Sequence, residues 1–340
     1  MKAAFYDCNG PADEVLQVGD VQMPAAGPGE VLVRVKTSGV NPSDVKSRTG
    51  LRAKMSYPRV IPHSDGAGVI EAIGAGVDPA RVGERVWLWN GQWQRPFGTA
   101  AEYIALPAFQ APHLPDAVPY EAGACFGIPA MTAHRCVFAD GPVAGQTILV
   151  TGGAGAVGHY AIQLARWGGA RVIATVSSAD KAAHAKTAGA DYVVNYKSED
   201  VEQAVKDITK GEGADRVIDV EFGGNLPTTL ACLKTNGVIA TYASSAVMEP
   251  KLPFYPMMFQ GITLRMVLVY ILPEAARRQS IQDIRRCRSS AARACMRAGI
   301  SSENSSSSSS DMAQPFPAGT RWVASQASQQ PFASARTRPI

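Results

Sequence analysis

Apolar positions of period two dominate the first 120 residues. Val31, Val33 and Val35 fall on one side of the stretch 31–36, and the stretches 68–73 and 84–89 read as further strands between turn residues. Successive side chains of a strand point to opposite faces, so short strands of this kind broken by Gly and Pro predict a small β-barrel. Near residue 121 the texture changes. Apolar strands at 147–150, 171–176, 192–194, 216–220 and 237–241 alternate with stretches at helical spacing, such as Val157, Ala161, Leu164 and Ala165. Gly189 is placed to end a second helix, and Leu226, Leu230 and Leu233 mark a later one. Strands that are apolar throughout and separated by helices predict a parallel sheet covered on both faces, a doubly wound nucleotide-binding architecture. One more strand is expected over 263–270.

After Ile284 both periods stop. Asn304 is followed by six serines amid Arg, Ala, Gln and Pro, a composition that cannot bury enough apolar surface to offset its ordering entropy. A poorly ordered tail is expected from about residue 290. An out-of-frame ending is one origin for it, tested by looking for an ordinary ending one frame away in the source DNA. The expected organisation is a β substrate domain over 1–122, a nucleotide-binding domain over 123–265, a returning strand and helix over 266–288, and an atypical tail over 289–340.

The net charge of +4 is local. Residues 285–340 hold eight arginines, no lysine and two acids, a net of +6, which leaves the rest at −2. A nucleic-acid surface is therefore not a property of the whole protein. No apolar run reaches the roughly 18 residues that a membrane span requires, and the N-terminus reads as a strand. Six cysteines without a Cys-x-x-Cys pair read as free thiols in a reducing cytoplasm.

The strongest chemical signal is the run Gly152-Gly153-Ala154-Gly155-Ala156-Val157-Gly158 between a strand and a helix. Gly153, Gly155 and Gly158 form Gly-x-Gly-x-x-Gly: one for the tight turn, one for close approach of the backbone to a pyrophosphate, one for helix–strand packing. The helix N-terminus adds free N–H groups and partial positive charge. An NAD site carries an acid at the end of the next strand. Here Ser177 and Ser178 stand there, followed by Lys181, and two hydroxyls with a point charge suit the 2′-phosphate of NADPH.

Gly-Val-Asn41-Pro-Ser-Asp44, Asp65-Gly-Ala-Gly68, Gly98-Thr-Ala-Ala-Glu-Tyr103 and Met131-Thr132-Ala-His134, together with the glycine loop, make the specific part of the pattern. Over residues 1 to about 284 the chain resembles the zinc-free quinone oxidoreductase (zeta-crystallin-like) branch of the medium-chain dehydrogenases. The resemblance implies a GroES-like β-barrel joined to a Rossmann domain. It implies NADPH as hydride source, a quinone or enone as acceptor, and a homodimer joined through the strand near 263–270. Asn41, Asp44 and Thr132 would lie at the catalytic end. Gly153, Gly155, Ala156, Val157 and Gly158 would meet the pyrophosphate, Ser177, Ser178, Lys181 and Tyr196 the 2′-phosphate and adenine end, and Ala243 and Ser244 the nicotinamide ribose.

Zinc relatives carry Cys at the position of Asn41 and His at that of Ser64, so no metal is expected here. His63 stands one residue from the ligand position and reads as a loop or surface histidine. Lys46, where many members have Tyr, is read as pointing to solvent. Trp87, Trp89, Trp93 and Phe97 either line a site for a flat quinone or pack as core and loop. A catalytically silent nucleotide-binding protein is the rival reading, supported by the tail.

Overall fold

β1 (Lys2–Phe5) pairs antiparallel with β2 (Gln17–Asp20) across the short α1 (Ala12–Val15). The central strand of the first half is β3 (Glu30–Val40), in which Val31, Val33 and Val35 are buried and Arg34 is exposed. α2 (Pro42–Arg48) follows it directly. β4 (Asp65–Ile73) runs antiparallel along one edge of β3, with β5 (Arg85–Leu88) beyond it. β6 (Tyr103–Pro107) covers the other edge at residues 30–34. The valines of β3 meet Ile70, Val86, Leu88, Ile104 and Leu106 in one apolar core. α3 (Tyr120–Gly123), a π-helical turn at Phe126–Ala130 and α4 (Met131–Phe138) then carry the chain into its second half.

That half alternates strictly: β7 (Thr147–Val150), α5 (Ala156–Trp167), β8 (Arg171–Val176), α6 (Ala179–Ala188), β9 (Tyr192–Asn195), α7 (Val201–Thr209), β10 (Ala214–Asp219), α8 (Phe222–Cys232), β11 (Leu233–Thr241), α9 (Phe254–Phe259) and β12 (Thr263–Met266). All neighbouring strands are parallel, in the order β12-β11-β10-β7-β8-β9. Ile148 and Val150 belong to the core on one face and Leu149 to the core on the other, which is why these strands lack polar alternation. Strand order reverses between β7 and β10, and in doubly wound sheets ligands bind at the carboxyl ends of the strands beside that reversal.

The computed structural model describes residues 1–51, 54–289 and 321–324. The strand expected over 263–270 stops at Met266, and Val269–Ile271 form a 3₁₀ turn instead. The turn breaks away from the sheet because Val269, Tyr270 and Leu272 pack into the first half, against a core containing Trp87, Trp89 and Phe126. α10 (Glu274–Ser289) then lies on α4, where His134 bridges Asp283 and Ser280 through its two ring nitrogens at 3.0 and 2.9 Å. Among the described residues, the tail contributes an element that its composition did not announce: β13 (Arg321–Ala324) runs parallel to β3 at Thr37–Val40, on the edge that β6 leaves uncovered. The rest of the tail expected to be poorly ordered lies outside the described residues.

Candidate active site

The glycine turn sits between β7 and α5, at the strand-order reversal. Its sterics divide the glycines differently from the motif count. Gly152, outside Gly-x-Gly-x-x-Gly, takes the positive φ of 63° that makes the turn. Gly153 is packed under the sheet, where a Cβ would lie 2.8 Å from that of Ala174. Gly155 precedes the helix and has open space apart from Gly152 O at 3.3 Å. Gly158 lets α5 press on the turn, since a Cβ there would lie 2.3 Å from Gly152 O. No side chain caps α5, so the N–H groups of Ala156 and Val157 in its first turn are left for an acceptor in the crevice.

Under this turn lies Asp219, the last residue of β10 and fully buried. Its carboxylate accepts from Thr151 Oγ1 at 2.9 Å, Glu221 N at 3.0 Å, Asn225 Nδ2 at 2.8 Å and Thr229 Oγ1 at 2.9 Å. These bonds tie the ends of β7 and β10 together exactly where the crevice opens. Asp219 was not among the expected site residues, although an acid directly after the apolar pair Val217-Ile218 was a visible signal.

At the end of β8, Lys181 Nζ donates to Ser177 Oγ at 3.0 Å, and Ser178 caps α6 by accepting from Lys181 N at 3.3 Å. Tyr196, exposed, is brought beside them by its backbone N–H on Val176 O at 3.1 Å. Ala243 and Ser244 follow β11: Ala243 O accepts from Phe222 N at 2.9 Å, and Ser244 Oγ from Gly223 N at 2.9 Å. They line a cleft of about 460 Å³ together with Thr241, Arg135, Met266 and Leu268.

In the first half, the N-terminus of α2 carries the expected catalytic residues Asn41 and Asp44. Asn41, buried, is the N-cap; its backbone N–H donates to Asp44 Oδ2 at 2.7 Å and its Nδ2 to Asp65 Oδ2 at 2.9 Å. Burial pushes the Asp65 carboxyl well above the usual range, opposed by the donors Asn41 and Ile128. Thr132 lies buried in the first turn of α4, directly after the turn that holds Ile128. Tyr270 donates to Ser43 Oγ at 3.0 Å and stacks on Trp93 with ring centroids 4.5 Å apart. No sequence signal pointed to Tyr270, because its place depends on the chain's return.

Two side-chain expectations need correction, and one that had two alternatives is decided for its tryptophans Trp87 and Trp89. His63 is buried: Ser38 Oγ meets its Nδ1 at 2.9 Å, and burial, with Arg48 nearby, pushes its pKa down to about 3. A φ of 78° turns the chain inward at this residue. Lys46 reaches the second half, donating to Ser245 Oγ at 3.1 Å. Trp87 and Trp89 are core, Trp87 edge-on to Phe126 and Trp89 beside Phe109; only Phe97 of the cluster is exposed. No cluster of three or more His, Cys, Asp or Glu able to hold a metal occurs among the described residues.

A crevice at a strand-order reversal, faced by a second domain across Lys46–Ser245, is the plan of a two-domain, dinucleotide-dependent oxidoreductase. Residues 27–116 match the family described as alcohol dehydrogenase GroES-like domain and residues 156–284 that described as zinc-binding dehydrogenase. A Pseudomonas aeruginosa quinone oxidoreductase is 32% identical over 243 residues, 71% of this chain and 73% of that one. A mycobacterial protein solved in complex with NADPH superposes with TM-score 0.76 at 28% identity, covering 86% of this chain and 90% of that one. Escherichia coli quinone oxidoreductase, also complexed with NADPH, gives 0.72 at 26%, covering 84% and 86%. The chain belongs to the quinone oxidoreductase (zeta-crystallin-like) branch of the medium-chain dehydrogenase/reductase superfamily.

Proposed function

We propose that this protein is an NADPH-dependent reductase that delivers hydride to a quinone or another activated carbonyl or enone, without zinc. The observation that carries the cofactor reading is the Ser177–Lys181 contact at the end of β8, where a 2′-phosphate would find hydroxyls and an ammonium in place of an acid. NADPH supplies the hydride, from C4 of its nicotinamide. The chain's own residues bind and orient: the turn of Gly153 and Gly155 and the N–H groups of Ala156 and Val157 hold the pyrophosphate, with Gly158 keeping α5 against the turn. Ser177, Ser178 and Lys181 hold the 2′-phosphate, Tyr196 flanks the adenine end, and Ala243 and Ser244 flank the nicotinamide ribose. Asn41 and Thr132 face the reacting ring, and Asp44 fixes the Asn41 backbone. Catalysis then rests on positioning and on hydrogen-bond donors near the developing oxygen charge. Zinc independence is supported by the commitment of the Asn41 amide to Asp65 and by the absence of thiolate or imidazole at positions 41 and 64.

Titration with NADPH and NADH, followed by nucleotide fluorescence, tests this reading. NADPH should bind more tightly, and Lys181→Ala should weaken NADPH roughly tenfold or more, about 1.4 kcal/mol, while leaving NADH within about twofold. Adding benzoquinone should then consume the reduced-nicotinamide absorbance. Equal affinity for the two nucleotides would sink the 2′-phosphate assignment. NADPH binding without turnover would favour a silent nucleotide-binding protein.

The homodimer is proposed to form through β12. Among the described residues β12 pairs only with β11, and Met266 (71% exposed), Leu268 and Ile271 are exposed beside it. Continuing the sheet into a second copy would satisfy that edge. Sedimentation velocity should give a dimer at micromolar concentration and a monomer for Met266→Glu; a monomeric wild type rules this interface out. The free thiols, including exposed Cys8, support a cytoplasmic location.

A further inference from the structure

Asp65 is the most deeply buried carboxyl beside the proposed catalytic end, at 0% exposure on β4, and both of its oxygens are engaged. Oδ2 accepts from Asn41 Nδ2 at 2.9 Å, and the backbone N–H of Ile128 lies between the two oxygens, 2.9 Å from Oδ1 and 3.0 Å from Oδ2. The turn carrying Ile128 is pressed onto this carboxyl so closely that a Cβ on Gly127 would lie 2.0 Å from Oδ1. That turn, Phe126–Ala130, leads directly into α4 and Thr132. From behind, Thr99 Oγ1 donates to the Asp65 carbonyl at 2.5 Å and lies 2.8 Å from Ser38 Oγ, which in turn meets His63. One carboxyl therefore holds the amide of Asn41 from the first half and the entry to α4 that carries Thr132.

Burying such a group costs free energy unless it is paired, and an apolar residue would fill the site more cheaply. What the carboxyl provides is direction. An amide whose Nδ2 is committed to an acceptor has its plane fixed, and with it the side that faces the cleft. We propose that Asp65 is a positioning residue: it sets the orientation of the Asn41 amide relative to Thr132, and so the geometry in which the hydride acceptor is held. The proposal rests on the reductase reading given above. Neither orientation of an amide at position 65 reproduces the arrangement, because the Ile128 N–H faces both oxygen positions and one would now be a donor.

The test is a double-mutant cycle of Asp65→Asn and Asn41→Ala in the full chain, read as NADPH affinity and as kcat for benzoquinone. D65N should lower kcat at least tenfold while NADPH affinity stays within about twofold. In the N41A background the same change should cost less than about threefold, since a group acting through another loses its effect when that partner is gone. Additive losses would overturn the proposal, as would a parallel loss of NADPH affinity. If D65N does not fold, Asp65→Ala carries the cycle, because it removes the buried carboxyl at the expense of a small cavity. A readout independent of turnover is the side-chain ¹H–¹⁵N pair of Asn41, identified by its disappearance in N41A. It should shift in D65N, and an unchanged signal overturns the proposal. Absence of quinone turnover in the wild type, with that signal shifted, would count against the reductase reading alone.

Discussion

Replacing Gly158 by alanine should weaken NADPH binding roughly 100-fold, about 2.7 kcal/mol, and lower thermal stability with it. The new methyl would lie 2.3 Å from Gly152 O and 3.0 Å from Gly153 Cα. Both are backbone atoms of a tight turn, so α5 must lift away from β7. Overpacking of this kind costs about 1–3 kcal/mol, and lifting the helix also withdraws its first-turn N–H groups from the crevice. Gly155→Ala is the discriminating partner. Its methyl meets nothing closer than Gly152 O at 3.3 Å, so the fold should keep its melting temperature. The methyl would nevertheless occupy the space through which a pyrophosphate approaches the backbone, and NADPH affinity should fall at least tenfold. Calorimetric melts and nucleotide titrations of the two variants separate a packing glycine from a ligand glycine. If Gly155→Ala binds NADPH as well as wild type, the phosphate does not sit on this turn.

Acidification from pH 7 to pH 5 should destabilise the protein through two buried histidines, each costing about 2 kcal/mol. Burial pushes His63 to a pKa of about 3, with Arg48 adding to the effect, and pushes His159 to about 3, with its stacked neighbour His184 adding. Neither ring nitrogen of His159 has a partner among the described residues. The folded pKa lies below the unfolded value of about 6.5, so the unfolded chain takes up protons that the native chain refuses. Stability is therefore full above about pH 6.5 and is lost as pH falls toward 3. Between pH 7 and 5 each histidine contributes about 2 kcal/mol of loss. Asp65 acts with the opposite sign, because its raised pKa lets the native state bind a proton first, and one such group offsets only part of the loss from two. Urea titrations at the two pH values measure the net effect. His159→Asn isolates one contribution: over the same interval it should lose about 2 kcal/mol less than wild type. Identical pH sensitivity in that variant would mean that His159 takes up its proton without leaving the fold.

Much of the plan could be read along the chain, because it is local. Period two in residues 31–36 and apolar strands between helices state which faces are covered, and a strand followed at once by Gly-x-Gly-x-x-Gly states where a helix begins with its N–H groups free. Gly189 ends α6 in the left-handed conformation, with φ 106°, as its place after the helical stretch required. Ser177 and Lys181 were legible as candidates because they stand together where β8 ends and α6 begins.

Contacts between distant segments were not legible. Nothing in the order of residues says that Asp65 reaches both Asn41 and Ile128, 24 and 63 positions away, or that Lys46 reaches Ser245 across 199. The same limit explains His63, which lies in a loop by sequence and in a core by packing, and Tyr270, which leaves its strand because Trp93 and Ser43 offer it a buried partner and a hydrogen bond. It explains β13 as well, whose four residues lack any period and pair with β3 because an edge there was open. The sequence by itself determined the periodic elements, the glycine turn and the helix ends, since each depends on neighbours within a turn or a strand. The tertiary structure alone decided which polar groups share a buried carboxyl and which strand edges are closed, since burial and partner choice depend on residues that meet only when the chain has folded.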